Sequence, residues 1–235
     1  MLASNTTSGV FFVKTITTTT TKTASASTPP KHAFGNPLGQ PLTQGSGRSA
    51  AHAAALQMIQ NQYRKHFHCE LQHSLPYSLS RLAGQDSEES KLVACTGYQP
   101  AKEGELFLEQ YLDDPVEEIL QRLTNKSVSR AQIVEIGGFA VSHKRHALPF
   151  MLQLAPILAN LGFKTVVCTV TRPMQDCFRK LGIISTPIAR ADPSRVDVSN
   201  NAWGTYYDLN PVVLAGDIDT NIDKLRPLIT RLSGH

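Results

Sequence analysis

Two short apolar runs flank a long uncharged stretch between Ile133 and Thr171, and this arrangement restricts the fold more than any other feature of the chain. Ile133 to Val141 (IVEIGGFAV) and Lys164 to Thr171 (KTVVCTVT) have the β-branched richness of buried strands. Leu148 to Leu161 reads as a helix, with Gly162 as the turn that follows it. A strand, a helix and a second strand in this order form the connection that two parallel neighbours require.

The flanking segments extend this unit into a mixed sheet. Thr171-Arg172-Pro173 opens a helix that Gly182 stops, Ile183 to Ala189 returns as a strand, and Pro211 to Ile218 is a last strand before a helix to about Leu232. Upstream, Ala50 to His68 places Leu56, Ile59, Tyr63 and Phe67 at helical spacing. Lys91 to Tyr98 and Glu105 to Leu112 read as antiparallel strands joined by the Gln99–Gly104 turn. Asp114 as N-cap and Pro115 at the first position then begin a helix ending near Leu123. The expected class is α/β, with a single domain over residues 50–235.

The uncharged run Ala147–Phe163 raises the question of a membrane span. It is shorter than the ~20 residues a span needs, and it contains Pro149, Gln153, Pro156 and Asn160. Its two apolar stripes, Leu148/Met151/Leu152/Ala155 and Phe150/Leu154/Ile157/Leu161, suit a helix buried on two sides. Charge gives no support to nucleic-acid binding either. The formal net charge is +4, but six of the 23 basic residues and none of the 19 acidic ones lie between Met1 and Cys69. The remainder has 17 basic against 19 acidic residues, a net charge of −2.

Residues 1–48 are dominated by Thr, Ser, Gly and Pro and are expected to be a disordered tail, because they offer too little apolar surface to repay their ordering entropy. Their one apolar patch, Val10 to Val13, is too short for a signal peptide. A Ser/Thr-rich, acid-free leader also resembles an organellar transit peptide, though one without arginine before Arg48. Cys69, Cys95, Cys168 and Cys177 show neither C-x-x-C nor zinc-finger spacing. They read as reduced, mostly buried thiols, with no metal site, in a cytoplasmic protein.

Candidate chemistry centres on the Ile133–Val141 strand. Paired glycines at Gly137 and Gly138 point to a bulge or to close approach of a ligand. The loop that follows, Ser142-His143-Lys144-Arg145-His146, brings cations to a helix N-terminus, where an anion is favoured; it also reads as a solvated basic loop. Glu135 places an ionisable group on an apolar strand, either as a base or amine ligand or as half of an ion pair with Arg130. Glu109 and Tyr111 would share one face of the Phe107–Leu112 strand, Tyr111 as a general acid or as packing. Arg172 either binds an anion at its strand end or lies exposed, and Trp203 to Asp208 is an aromatic cluster that walls a pocket or covers the core edge. Cys177, with Arg179 and Lys180 nearby, is the one thiol with cationic neighbours.

GYQPA (Gly97–Ala101), LFLEQYLDDP with Glu117-Glu118, VEIGGFA (Val134–Ala140), TVTRP through FRKLGI (Thr169–Ile183), ADPSR (Ala191–Arg195) and WGTYYD through VVLAGDI (Trp203–Ile218) resemble the bacterial thermostable hemolysin family. The likeness runs from about Ala50 to the C-terminus. That family resembles a branch of the GNAT acyltransferases and the acyl-homoserine-lactone synthases. The resemblance implies a mixed, mostly antiparallel central sheet flanked by helices with one parallel crossover. It also implies an acyl donor, acyl-CoA or an acyl-carrier-protein thioester, held by the Ile133–Val141 strand and the Ser142–His146 loop, with no permanently bound cofactor. Glu135 matches the Glu of the synthases' E-x-x-R, but Gly138 stands where the Arg would be. The phosphate loop Q/R-x-x-G-x-G/A keeps only Ala147. The expected activity is acyl transfer to a small amine, with Glu135 or Glu109 as base, backbone donors at Gly137–Gly138, and His143, Lys144, Arg145 and Arg172 toward the donor. The alternatives are a hemolysin acting directly on membranes and a non-catalytic GNAT-like binding module.

Overall fold

In the computed structural model, residues 42–71, 74–83, 90–196 and 203–233 are described. They build a seven-stranded sheet, β1 (Thr43–Ser46), β2 (Tyr77–Ala83), β3 (Lys91–Pro100), β4 (Ile133–Val141), β5 (Thr165–Val170), β6 (Thr186–Arg190) and β7 (Val212–Asp217), in the order β1-β2-β3-β4-β5-β7-β6. Every neighbouring pair is antiparallel except β4–β5. The crossover helix α3 (Ala147–Asn160) joins that pair as expected, and Gly162 takes the left-handed turn after it with φ +92°.

Helices cover both faces. α1 (Ala50–Phe67) and α2 (Val116–Thr124) pack on one face with Ala55, Ile59, Tyr63, Val116 and Leu120 in the core. α3, α4 (Arg172–Leu181) and α5 (Ile218–Ser233) pack on the other, burying Phe150, Leu154, Met174, Ile218 and Ile222. The ends follow local chemistry. The Ser49 hydroxyl caps α1 by accepting from the His52 N–H, and α4 has Pro173 in its first turn and Gly182 in the left-handed conformation at its end. No described helix is long and apolar enough to cross a membrane, and α3 is instead a core helix between sheet and α5.

Four expectations change. α2 begins at Val116 with Pro115, not Asp114, at its N-cap and no side-chain cap. The sheet begins at Thr43, within the stretch whose composition reads as tail; residues 1–41, for which disorder is expected, lie outside the described residues. β3 pairs not with Glu105–Leu112 but with β2, which the hydrophobic pattern does not reveal. Glu105–Leu112 is not a strand: Ala101–Glu103 and Phe107–Tyr111 are 3-10 turns, so Glu109 and Tyr111 do not alternate across a pleat.

Candidate active site

β4 and β5 hold together over only three residue pairs, Ile133 to Glu135 against Thr165 to Val167. Beyond them β4 continues beside β3 through Val141, and β5 beside β7 through Val170. The sheet is therefore split along its one parallel seam, leaving the facing main-chain edges without ladder partners. The cause lies in the glycine pair. Gly137 and Ala140 oppose Gly97 and Cys95, so Gly138 and Phe139 face the single residue Thr96 in a bulge, and Gly138 adopts φ +65°. A Cβ at Gly138 would stand 3.0 Å from Ile59 Cδ1 of α1. The Thr96 hydroxyl donates to the Gly137 carbonyl at 2.9 Å and stitches the bulge to β3.

An apolar cavity of about 90 Å³ adjoins the split on the α3–α5 face. Ile136, Phe139, Met151, Leu154, Cys168 and Ile218 are among its walls, and Ser185 and Asn221 add polar groups. Asn221 is committed: it accepts from Ile184 N–H and donates to the Ile184 and Asp217 carbonyls.

The three proposed catalytic side chains lie on the opposite, α1 face. Glu135 is fully buried and accepts the main-chain N–H groups of Phe107 at 2.9 Å and Leu108 at 3.1 Å, tethering the 3-10 turn to β4. Burial holds its carboxyl well above the ordinary range, against the pull of those two donors and with some help from the charge of Glu109. Arg130 is not its partner. Arg130 forks onto Glu109 at 2.6 and 2.8 Å, and also reaches Glu117 at 2.6 Å and the carbonyls of Ala101 and Gly104. Glu109 further accepts from Leu106 N–H and Val116 N–H, so its oxygens are fully engaged in holding the turn and α2. Burial would raise its carboxyl, but Arg130 and these two amides hold it below the usual value. Tyr111 is buried and shares a 2.7 Å hydrogen bond with Tyr207. Burial in this aromatic surrounding raises its phenol, so Tyr111 keeps its proton. Trp203 and Tyr206 are buried and pack with Phe67 and Phe107, while Thr205 and Asp208 are exposed, so the Trp203–Asp208 segment covers the core edge.

The cationic residues gather at one edge. Because β4 and β5 are parallel, their C-terminal ends leave the sheet on the same side, placing His143, Lys144 and Arg145 across the mouth of the split from Arg172. All four are exposed, and Arg172 makes only a 3.9 Å approach to Asp176. Cys177 has no activated thiol: burial raises it despite Lys180. Thr96, which completes the bulge, carries no sequence signal that separates it from an ordinary strand residue, whereas Tyr207 of the phenol pair falls within the Trp203–Asp208 aromatic cluster that the sequence shows.

A mixed sheet split along its single parallel pair defines the class. The fold is similar to that in the structure of a CoA-dependent acyl-homoserine lactone synthase, BjaI, with SAM and isopentyl-CoA, at TM-score 0.53 and 15% identity over 82% of this chain and 90% of that one. The AHL synthase LasI aligns with TM-score 0.48 at 14% identity, over 77% of this chain and 91% of its own. FeeM, an N-acyl amino acid synthase from uncultured soil microbes, aligns with TM-score 0.48 at 13% identity, over 77% and 98%. The fold is that of the GNAT-like synthases. The sequence matches the thermostable hemolysin family over residues 46–222, and the chain belongs to that family. No curated protein matches it.

Proposed function

We propose that this chain is an N-acyltransferase that moves an acyl group from a thioester donor, acyl-CoA or acyl carrier protein, to a small amine. The observation that carries the reading is the split between β4 and β5. Buried main-chain N–H and C=O groups need partners, and the amides of a pantetheine arm laid between the strands supply them. The acyl chain then enters the apolar cavity beside Phe139 and Met151. The amine nitrogen attacks the thioester carbonyl, the main-chain donors of the Gly138 bulge stabilise the oxyanion, the C–S bond breaks, and the amine's proton ends on the leaving thiolate. Glu135 takes that proton from the attacking amine and passes it to the thiolate, a carboxyl raised by burial being a stronger base than an exposed one. Tyr111 lines the acceptor side, and Glu109 serves folding alone. The reaction belongs in the cytoplasm, where thioester donors are made.

The test is thiol release by purified protein from CoA and carrier-protein thioesters, acetyl to palmitoyl, against a panel of amines, with the amide product identified by mass spectrometry. Release of thiol together with a matching amide supports the reading. Thiol release from no donor, together with erythrocyte lysis by the pure protein, overturns it. In a working assay, Glu135→Gln abolishes the acid limb of the rate–pH profile; an unchanged profile removes Glu135 from the mechanism.

A further inference from the structure

The contacts that hold the β1 edge of the sheet gather on one imidazole. His52 stands in the first turn of α1, just after its N-cap Ser49, and its side chain is buried against β2, where Nδ1 and the Ser78 hydroxyl share a 3.1 Å hydrogen bond. The Ser49 hydroxyl accepts from the His52 N–H and also from the Ser46 N–H, so one oxygen caps the helix and ends β1. β1 lies directly on this turn. Gly45, paired with Ser78 in the ladder, comes so close that a Cβ there would stand 2.7 Å from the His52 nitrogen and 2.7 Å from the Ser78 hydroxyl. Its other ties are short: the ladder from Thr43 to Ser46, a Gly47 N–H bond to the Pro76 carbonyl and a 3.3 Å bond from Gln44 to the Tyr98 phenol.

A positive charge on His52 is opposed in three ways. Burial holds the imidazole below its ordinary value. The ring belongs to the first turn of a helix, the positive end of the dipole, where a cation is disfavoured. Among the described residues, no carboxylate answers it. β1 carries no titratable or charged side chain; β2 carries Tyr77 and Arg81, both on its other face, where Tyr77 donates to Glu103 and Arg81 to Gln153 of α3. α1 carries Tyr63, Arg64, Lys65 and His66, all toward its far end, and Arg48 before the cap is another cation. Glu70, the first acid of the chain, comes after α1, more than about 20 Å along the helix from His52, and pairs with Arg64. Asp86, Glu88 and Glu89 follow Ala83, where β2 ends about 17 Å from Ser78.

We propose that β1 is an acid-released strap whose trigger is His52: a charged imidazole leaves its place on Ser78, displaces the turn of α1 on which Gly45 rests, and frees Thr43–Ser46 from β2. Once released, His52 is in water and takes its proton at about 6.5. The docked form is therefore complete above that pH and is lost as pH falls through the lower value of the docked ring. β2 then becomes the edge of the sheet, with main-chain groups open to an extended partner. The strap works independently of the acyl-transfer chemistry, because His52 lies about two turns of α1 before Ile59, the residue that meets the Gly138 bulge.

The experiment is amide hydrogen exchange of the full chain at about pH 7.5 and about pH 5, corrected for intrinsic rates, with β4 as internal reference. In the wild type, protection of Thr43–Ser46 and of the first turn of α1 is expected to fall by about threefold or more in acid while β4 stays protected. H52Q, neutral and able to hydrogen-bond Ser78, is expected to keep the strap protected at both pH values. A wild-type strap equally protected at both, or an H52Q strap that opens in acid as the wild type does, overturns the proposal. The ring titration of His52 followed by NMR decides the matter without a variant: its midpoint is expected to coincide with loss of strap protection, and a strap that stays closed after the ring has charged refutes the trigger. G45A, whose Cβ meets the main chain of α1, is expected to leave the strap open at both pH values with β4 still protected; a G45A strap that closes at neutral pH refutes the docking assigned to Gly45.

Discussion

Replacing Arg130 with methionine keeps the length of the side chain and removes its five hydrogen bonds, two to Glu109, one to Glu117 and one each to the Ala101 and Gly104 carbonyls. Glu109 has a side chain only 7% exposed, so its carboxylate stays buried with two main-chain N–H donors and no cation. Breaking a fully buried pair costs about 3–5 kcal/mol. Arg130 is itself 27% exposed, and water recovers part of that loss, so we expect about 3 kcal/mol. For a domain of this size that lowers Tm by roughly 6–12 °C. Urea unfolding followed by circular dichroism measures the loss directly. The double variant R130M/E109Q should lose less than the sum of the single losses by at least about 1 kcal/mol.

The pH dependence has a definite sign. Glu109 is held below its ordinary value in the folded chain, so its contribution is complete above the unfolded carboxyl's pKa of about 4.3 and is lost as pH falls through the folded value. In R130M the burial that opposes ionisation remains while the largest opposing interaction is gone, so protonation begins at higher pH and the two stability curves converge in acid. Additive losses, or a gap between the curves that stays constant with pH, would refute the assignment of Arg130 to Glu109.

The other predictions concern backbone and thiols. G138A must hold φ +65° with its Cβ 3.0 Å from a flexible end of Ile59, and is expected to cost about 1–3 kcal/mol in urea unfolding; a neutral result would mean that the bulge does not need glycine. G204A is the more damaging change, because its Cβ would fall 1.8 Å from the main-chain oxygen of Phe67 and force the Trp203–Leu209 segment away from α1; a Tm equal to that of G138A would contradict this. Burial pushes the Cys69 thiol up to about 11 and those of Cys95 and Cys168 up to about 12, so at pH 8 a thiol reagent should modify half-buried Cys177 first and the other three only on unfolding. Equally fast labelling of Cys168 in the native state would show that the cavity wall opens.

The crossover was legible because each of its elements carries a strong local signal. β4 is buried along nearly its whole length and reads as an unbroken apolar run, and α3 is apolar on two sides because it lies between the sheet and α5. β2 carries the opposite signal. Its inward residues on the α1 side are Ser78 and Ser80, small polar groups buried to let the helix approach, and Ser78 hydrogen-bonds the buried His52. Alternation that buries serine looks like a loop to any hydrophobicity rule. The reverse error occurs at Glu105–Leu112, where Leu106, Leu108 and Leu112 alternate as in a strand. The turn is imposed instead by two carboxylates, the distant Glu135 binding its first amides and the turn's own Glu109 closing back on Leu106.

The same limit governs the site. A carboxyl on an apolar strand must be satisfied somehow, and that much follows from Glu135 alone. Which donors satisfy it depends on where the 101–112 segment lies in space, so the cation nearest in sequence, Arg130, is the wrong partner and serves Glu109 instead. At the loop after β4 the divergence has a functional consequence. Its residue types show positive charge at a helix N-terminus, and by charge and dipole alone they describe a phosphate site. Only the geometry shows that two of the amides there are taken, that of Arg145 by the His143 imidazole and that of Ala147 by the Lys144 carbonyl.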